Sequence, residues 1–330
     1  YIPHRMEEGY GLNVGIAEFA KSQGIHLLIT VDCGINAFEP IAAIMALGID
    51  VIVIDHHEPD GDKIPPALAV IDPKRSDCLY PSKNLSAVGL VAKLAQGLLG
   101  EIPEEDLDLV AIGTVADVVA LRGENRIFVK KGLPLIEQTT KHGLRALLDA
   151  AKISGKKMKP YYIGFILGPR LNAAGRMDSA NIALDLLLSE DMASAVLLAK
   201  SLEEHNLSRQ KMQLTVVEEA IAMIETQEEI RNASIIVLAK EGWHKGVLGI
   251  VASRIVDKYY KPTVVISVTE GLGTGSGRSI EGFHLHEAFT SCSSILDNFG
   301  GHKRAAGLRL KDTNIPAFRI AMNEFAKTNL

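Results

Sequence analysis

Aromatic side chains are scarce in this 330-residue chain, 5% in all with a single tryptophan, so a folded core must be mainly aliphatic. Cysteine is equally thin. Cys33, Cys78 and Cys292 are scattered without close pairs, which argues against a disulfide framework or a zinc ribbon and suits a reducing cytoplasm. No apolar run reaches the roughly 18 residues of a membrane helix, and the start carries no basic, apolar, small-residue leader, so no membrane is expected as a partner. A basic excess is missing too. With 35 Lys and Arg against 40 Asp and Glu the formal charge is −5, unlike proteins that hold long DNA by bulk phosphate neutralisation. A narrow channel lined by a few arginines remains compatible with that sum, because acidic metal ligands lower it.

Hydrophobic residues are plentiful, at 47%, enough for a large core, and the length implies about two domains. The most informative segment is the apolar run Asp50 to Asp55, which ends in Asp55-His56-His57. Three adjacent metal-capable side chains at the end of a strand lie where open α/β sheets keep their active sites. Alone, such a triplet also occurs on ordinary surfaces. A second apolar run, His26 to Asp32, ends in a carboxylate as well, and an amphipathic stretch from Ala37 to Leu47 follows it. Two consecutive strand-helix units should therefore deliver Asp32 and Asp55 to the same edge of a parallel sheet. Asp117 closes another apolar stretch, Leu109 to Asp117. It reads either as a helix-capping aspartate or as a third acid sharing a metal with Asp32 and His56.

Strand-helix alternation occupies the first part, with a third strand expected from Ala67 to Asp72. From Ser86 to about Leu188 the pattern is mostly helical, and Glu190 to Glu229 reads as one long charged helix connecting two domains. Beyond it, Ser234–Ala239 and Thr263–Val268 are expected as strands, Val247–Tyr259 and Leu285–Phe299 as helices. Gly271–Gly277 is glycine-rich. The expected fold is α/β: a parallel-sheet domain over residues 1–188, a connecting helix over 189–229 and a smaller α/β domain over 230–330, with substrate in the cleft between them.

Ordered blocks along nearly the whole chain strengthen the reading. They include Tyr1-Ile-Pro-His-Arg5, Glu8-Gly-Tyr-Gly-Leu-Asn13, Thr30-Val-Asp-Cys-Gly34, Asp55-His-His57, Gly113-Thr-Val-Ala-Asp117, Gly168-Pro-Arg-Leu-Asn-Ala-Ala-Gly-Arg176, Gly242-Trp-His-Lys-Gly246, Gly275-Ser-Gly-Arg-Ser279 and Gly300-Gly-His302. In this order they resemble the DHH phosphoesterase superfamily and, within it, the RecJ family of single-strand-specific exonucleases. The aspartate-histidine-histidine block marks the superfamily. The Gly168, Gly242 and Gly300 blocks narrow it.

The resemblance implies a DHH domain followed by a DHH-associated domain, and a Mn²⁺- or Mg²⁺-dependent exonuclease acting from the 5′ end of single-stranded DNA in repair and recombination. Two divalent ions about 3.5–4 Å apart would activate water and stabilise the attacked phosphate. Asp32 would bridge both ions, His56 and Asp117 would complete one coordination sphere, His57 would sit beside the scissile phosphate, and Asp55 would orient a histidine. Single-stranded DNA would be the main partner, with a single-strand-binding protein and a helicase as further ones. The family's first motif, an aspartate pair before the Tyr-Ile-Pro segment, is not in the chain, which starts at Tyr1. The chain therefore reads as a fragment, whose own activity stands open, and the family's oligonucleotide-binding barrel would follow Leu330. Two other readings stay in view: a phosphodiesterase for short oligonucleotides or cyclic dinucleotides, and an inactive nucleic-acid-binding relative.

Substrate contacts are expected from several blocks. Arg176, with Arg170 and Asn172 before it, lies in what reads as a small-residue turn, where a guanidinium can take a phosphate in two-pronged fashion; the alternative is an arginine paired with an acid across an internal interface. Ser276 and Arg278, in the glycine-rich segment, suit an anion nest, and the resemblance points them, with Arg5 and Arg176, at a terminal 5′-phosphate. His302 would touch the phosphate near the metals. Trp243 reads as a packed anchor rather than a base-stacking platform, His284 as part of a helix start, and Arg209 as part of a solvated face from which it could still reach the cleft.

Overall fold

The computed structural model describes residues 1–4, 8, 11–177 and 179–330; Arg5, one of the expected phosphate contacts, lies outside them. Two compact units divide the chain, Tyr1–Asn206 and Leu207–Leu330. The boundary falls inside one 35-residue helix.

In the first unit, α1 (Gly15–Ser22) precedes three parallel strands, β1 (Leu27–Val31), β2 (Asp50–Ile54) and β3 (Ala69–Ile71), with α2 (Phe38–Ala46) crossing from β1 to β2. The middle strand buries Val51, Val53 and Ile54, as a strand covered on both faces must. The edge strand β1 differs: Leu27, Ile29 and Val31 remain exposed on one side of its pleat. Register is what matters for the site. Val31 stands opposite Ile54 and Ile54 opposite Ile71, so all three strands stop level. The ladder runs one step further, with the Asp32 amide donating to Ile54 O at 3.0 Å and the Asp55 amide donating to Ile71 O at 3.0 Å. Asp32, Asp55 and Asp72 thus leave the sheet side by side.

Helices fill the rest of this unit: α3 (Ala87–Leu99), α4 (Leu107–Ala116), α5 (Gly123–Glu137), α6 (His142–Ala150), the short α7 (Pro160–Tyr162), α8 (Gly168–Met177), α9 (Asn181–Leu187) and α10 (Met192–Thr226). A single π turn, Ile163–Leu167, joins α7 to α8. Ser86 caps α3 by accepting the Gly89 amide at 3.2 Å and also bonds Thr114 at 2.9 Å, tying the start of α3 to α4. The core is aliphatic, with Ile136, Leu144, Leu147, Ile163 and Leu167 fully buried. Arg176 stands in α8, not in a turn: packing overrides the weak helix preference of Asn172 and Gly175, with Ala173 and Ala174 fully buried.

The second unit contains the end of α10, α11 (Glu228–Asn232) and a five-stranded sheet, β4 (Ile236–Glu241), β5 (Thr263–Thr269), β6 (Leu272–Arg278), β7 (Asn298–Gly301) and β8 (Ala305–Lys311). Its order is β4-β5-β6-β8-β7, parallel only between β4 and β5. The helices are α12 (Leu248–Tyr259), α13 (Leu285–Ser291) and α14 (Ile315–Asn329). Two expectations are corrected. The glycine-rich stretch is strand β6, because Gly273, Gly275 and Gly277 let Ile266, Leu308, Leu310 and Leu285 pack onto that face; a Cβ on Gly277 would come within 2.7 Å of Leu285 Cδ2. The helix begun at Leu285 stops at Ser291, before Asn298–Gly301 pairs with β8. The open edge of β4 is covered by α14. Asn323 Oδ1 accepts the Ser234 and Ile235 amides, and Arg319 Nε donates to Val237 O at 3.1 Å. Among the described residues no helix is long and apolar enough to cross a membrane.

Candidate metal centre

The level strand ends put Asp32 and the Asp55-His56-His57 turn together, and α4 delivers Asp117 at its C-terminus. His56 Nε2 lies 3.1 Å from Asp32 Oδ1 and 3.5 Å from Asp117 Oδ2. Donor atoms of Asp32, His56 and His57 all fall within 4.8 Å of one another, the only such grouping among the described residues. His56 is buried, yet its Nε2 makes no well-directed hydrogen bond to a described residue. A buried nitrogen facing two carboxylates off the hydrogen-bonding direction is what a coordinating imidazole looks like without its ion. Oxygen and imidazole donors suit Mn²⁺ or Mg²⁺.

Backbone geometry concentrates here as well. Asp32 and Val118, the residue after Asp117, both adopt the left-handed region, at φ 64° and 61°. That is costly for a branched valine and tends to be retained where a site requires it. Gly34, at φ 115°, has room only for hydrogen, since a Cβ would stand 2.8 Å from Thr30 Oγ1.

Asp55 does not face the ion site. Its buried carboxylate accepts the amides of Ile35 (3.0 Å), His56 (2.8 Å) and His57 (3.2 Å) and bonds His57 Nδ1 at 2.7 Å. Burial pushes this carboxyl up, but the His57 and backbone hydrogen bonds prevail and hold it below its ordinary value. In return Asp55 raises the pKa of His57, while Asp32 and then Asp117 raise that of His56 against the opposing effect of burial. Burial raises Asp117 itself. Cys33 is not among the grouped donors, and burial, with Asp55 and Asp32 nearby, pushes its thiol up to about 11.

One residue escaped the sequence reading. Asp72, 3% exposed, is pushed up to about 6 chiefly by burial, and the nearby Asp55 charge adds to that. Oδ1 accepts the Lys74 amide at 2.8 Å; Oδ2 is buried without a hydrogen bond to a described residue. The signal was available, because the third apolar run also ends in an acid.

The expected substrate residues are placed less uniformly. Arg170 is occupied: Nε donates to Glu203 Oε2 at 2.5 Å and Nη1 to Ile166 O at 2.9 Å, an internal pairing of the kind left open for Arg176. Asn172 is exposed on α8. Arg176 is partly buried, and burial pushes its guanidinium down. In the second unit Ser276 and Arg278 share one face of β6, Arg278 Nη1 donating to Ser276 Oγ at 3.2 Å and to Gly277 O at 2.8 Å. Both approach the first turn of α12, where a Cβ on Gly249 would stand 2.8 Å from Arg278 Nη2. Any anion there would meet side chains and a helix N-terminus, because the β6 amides are used in the sheet. His302 is exposed after β7. Trp243 is a packed anchor, its Nε1 donating to Glu219 Oε2 at 2.6 Å, and His284 caps α13. Arg209 is 8% exposed, not on a solvated face, and its Nη1 donates to Gln213 Oε1 at 3.1 Å.

A parallel sheet whose level strand ends gather an aspartate, a histidine pair and a helix-borne aspartate is the arrangement of the DHH class, and its oxygen and imidazole donors could hold a divalent ion. The model of the DHH family, N-terminal domain, matches residues 1–114, and the DHHA1 domain matches residues 232–328. The single-stranded-DNA-specific exonuclease RecJ of Bacillus subtilis (strain 168) is 45% identical over 332 residues, covering all of this chain; the chain spans 42% of that protein's length. A crystal structure of exonuclease RecJ bound to manganese superposes with a TM-score of 0.83 at 36% identity, covering 99% of this chain and 82% of that one. RecJ from Thermus thermophilus in complex with Mn²⁺ gives a TM-score of 0.84 at 33% identity, covering 96% and 47%. The chain belongs to the RecJ family.

Proposed function

We propose that this chain carries the catalytic part of a Mn²⁺- or Mg²⁺-dependent exonuclease that removes nucleotides from the 5′ end of single-stranded DNA, in DNA repair and recombination. The observation that carries it is the convergence of Asp32 and Asp117 on one buried imidazole nitrogen of His56 in a chain of the RecJ family. Asp32, Asp117 and His56 Nε2 would hold the ion. When bound, it supplies charge stabilisation at the attacked phosphate and a water of lowered pKa.

The remaining chemistry falls to side chains. His57, its Nδ1 fixed by Asp55, keeps Nε2 available beside the Asp32–His56 group, where it would donate to a phosphoryl oxygen as charge develops. Asp55 keeps that tautomer and holds the whole turn through three amides. Asp72, ionised above about pH 6, adds to the negative field that draws a cation. In the second unit, Ser276 and Arg278 with the N-terminus of α12 suit a terminal phosphate, and Arg176, Asn172 and His302 suit further phosphate contacts. On this reading the protein works in the cytoplasm, with a single-strand-binding protein and a helicase as partners.

The test is cleavage of 5′-labelled single-stranded and duplex DNA by the full-length protein in Mn²⁺, with His56→Ala as control. Single-strand cleavage that falls at least about 100-fold in the variant supports the proposal. Equal cleavage of duplex, or undiminished activity in the variant, would overturn it.

A further inference from the structure

Helix α7 and the π turn after it carry features that the metal centre does not use. Tyr161 and Phe165, one helical turn apart, are 60% and 71% exposed. Their rings stack on each other, with centroids 5.0 Å apart and planes at 27°. The preceding loop exposes Lys152, Lys156, Lys157 and Lys159, and the Lys156 ammonium lies 6.0 Å from the centre of the Tyr162 ring. No acid occurs in the sequence from Ala150 to Met177. Among the described residues none of the four lysines is in an ion pair.

Placement adds a second argument. A Cβ on Gly168 would touch Ala116 Cβ at 3.5 Å, and one on Gly164 would touch Val115 Cγ1 at 3.8 Å. These alanine and valine residues immediately precede Asp117, so the aromatic pair stands on the element that buttresses a metal-site acid, inside one compact unit. π turns are common at functional sites, where the extra residue in the turn re-aims the side chains that follow.

We infer that Tyr161 and Phe165, with Lys156, Lys157 and Lys159, form a stacking and phosphate-contact platform for the body of a single-stranded nucleic acid. Ring faces accept any unpaired base, whereas a duplex hides its base faces; lysines neutralise the phosphates between stacked bases. Charge selects this occupant over a second copy of the chain, since two like-charged lysine rims would repel across a two-fold contact. The inference rests on the nuclease reading for its ligand class but on different residues.

The experiment measures fluorescence anisotropy of labelled oligothymidylate with the full chain in EDTA. Tyr161→Ala/Phe165→Ala is expected to weaken binding about 10- to 100-fold. Lys156→Gln/Lys157→Gln/Lys159→Gln is expected to reduce the slope of log affinity against log salt by about 2. Mn²⁺ binding, read by electron paramagnetic resonance, should be unchanged in both, which excludes misfolding. The platform is overturned if wild-type chain does not bind the oligonucleotide or if both variants bind it as wild type does. It is also overturned if sedimentation shows a dimer lost in the aromatic variant while oligonucleotide affinity stays the same. Failure of the nuclease reading looks different: His56→Ala would then leave Mn²⁺ binding and cleavage intact, whatever the platform variants do.

Discussion

Asp72 and Asp55 are neighbouring carboxylates at adjacent strand ends, and their surroundings drive them in opposite directions. Asp72 is pushed from 3.8 to about 6 by burial with one oxygen unsatisfied. Its unfolded form gives up a proton near 4 while the folded form keeps it to about 6, so stability falls as pH rises through that window and stays lowered above it. In metal-free chain, Asp72→Asn should therefore gain about 2 kcal/mol at pH 8 and nothing at pH 3, by urea melts at both pH values. A loss at pH 8 would mean that Oδ2 has a partner. Asp55 behaves the other way, because removing it strands three amides and an imidazole. Asp55→Ala should cost about 3–5 kcal/mol in the same assay, far more than any exposed acid such as Asp60. His56 adds a metal prediction. It must be neutral to coordinate, and its raised pKa makes protons compete at higher pH than for a free imidazole, so Mn²⁺ affinity should drop markedly from pH 8 to pH 6 by calorimetric titration. A pH-independent affinity would exclude His56 as a ligand. Of these residues, the triplet, Asp32 and Asp117 were legible as candidates from strand-end position. The division of labour within the triplet was not, since only the fold shows which side chain turns inward.

At the scale of elements, the α4–α5 contact governs where Asp117 stands. Gly132 of α5 lets the helices approach so closely that a Cβ would lie 2.1 Å from Leu107 O and 2.5 Å from Ala111 Cβ. Gly132→Ala should destabilise the first unit by about 1–3 kcal/mol and, by displacing α4, weaken Mn²⁺ binding although it touches no ligand. Normal Mn²⁺ affinity in the variant would show that α4 absorbs the strain without moving its C-terminus. Strand periodicity predicted β1, β2 and β3 well, because an apolar run bounded by charge has few other uses. Glycine misled at β6 and in α8. The turn chemistry of small residues is identical to their chemistry in a close-packed strand or helix until the neighbours that fill the space are known.

At the scale of the molecule, the division into Tyr1–Asn206 and Leu207–Leu330 bears on stability. Each unit has its own buried clusters, so thermal unfolding should show two transitions in calorimetry. Mn²⁺ at about 100 times its Kd should raise only the transition of the first unit, by about 2.7 kcal/mol in stability. Hydrogen exchange would assign it, and protection gained equally in both units would contradict the placement of the ion.

By itself the sequence determined the chemistry available: which strands end in acids, that two imidazoles follow one of them, and that aliphatic residues must build the core. Those follow from period and composition, which act locally along the chain. Tertiary structure alone decided that three strands stop level, that Asp117 arrives from a helix to face His56, that Asp55 looks away, and that Asp72 is buried. Each depends on register and packing between segments tens of residues apart, where a shift of one residue would turn every side chain to the opposite face.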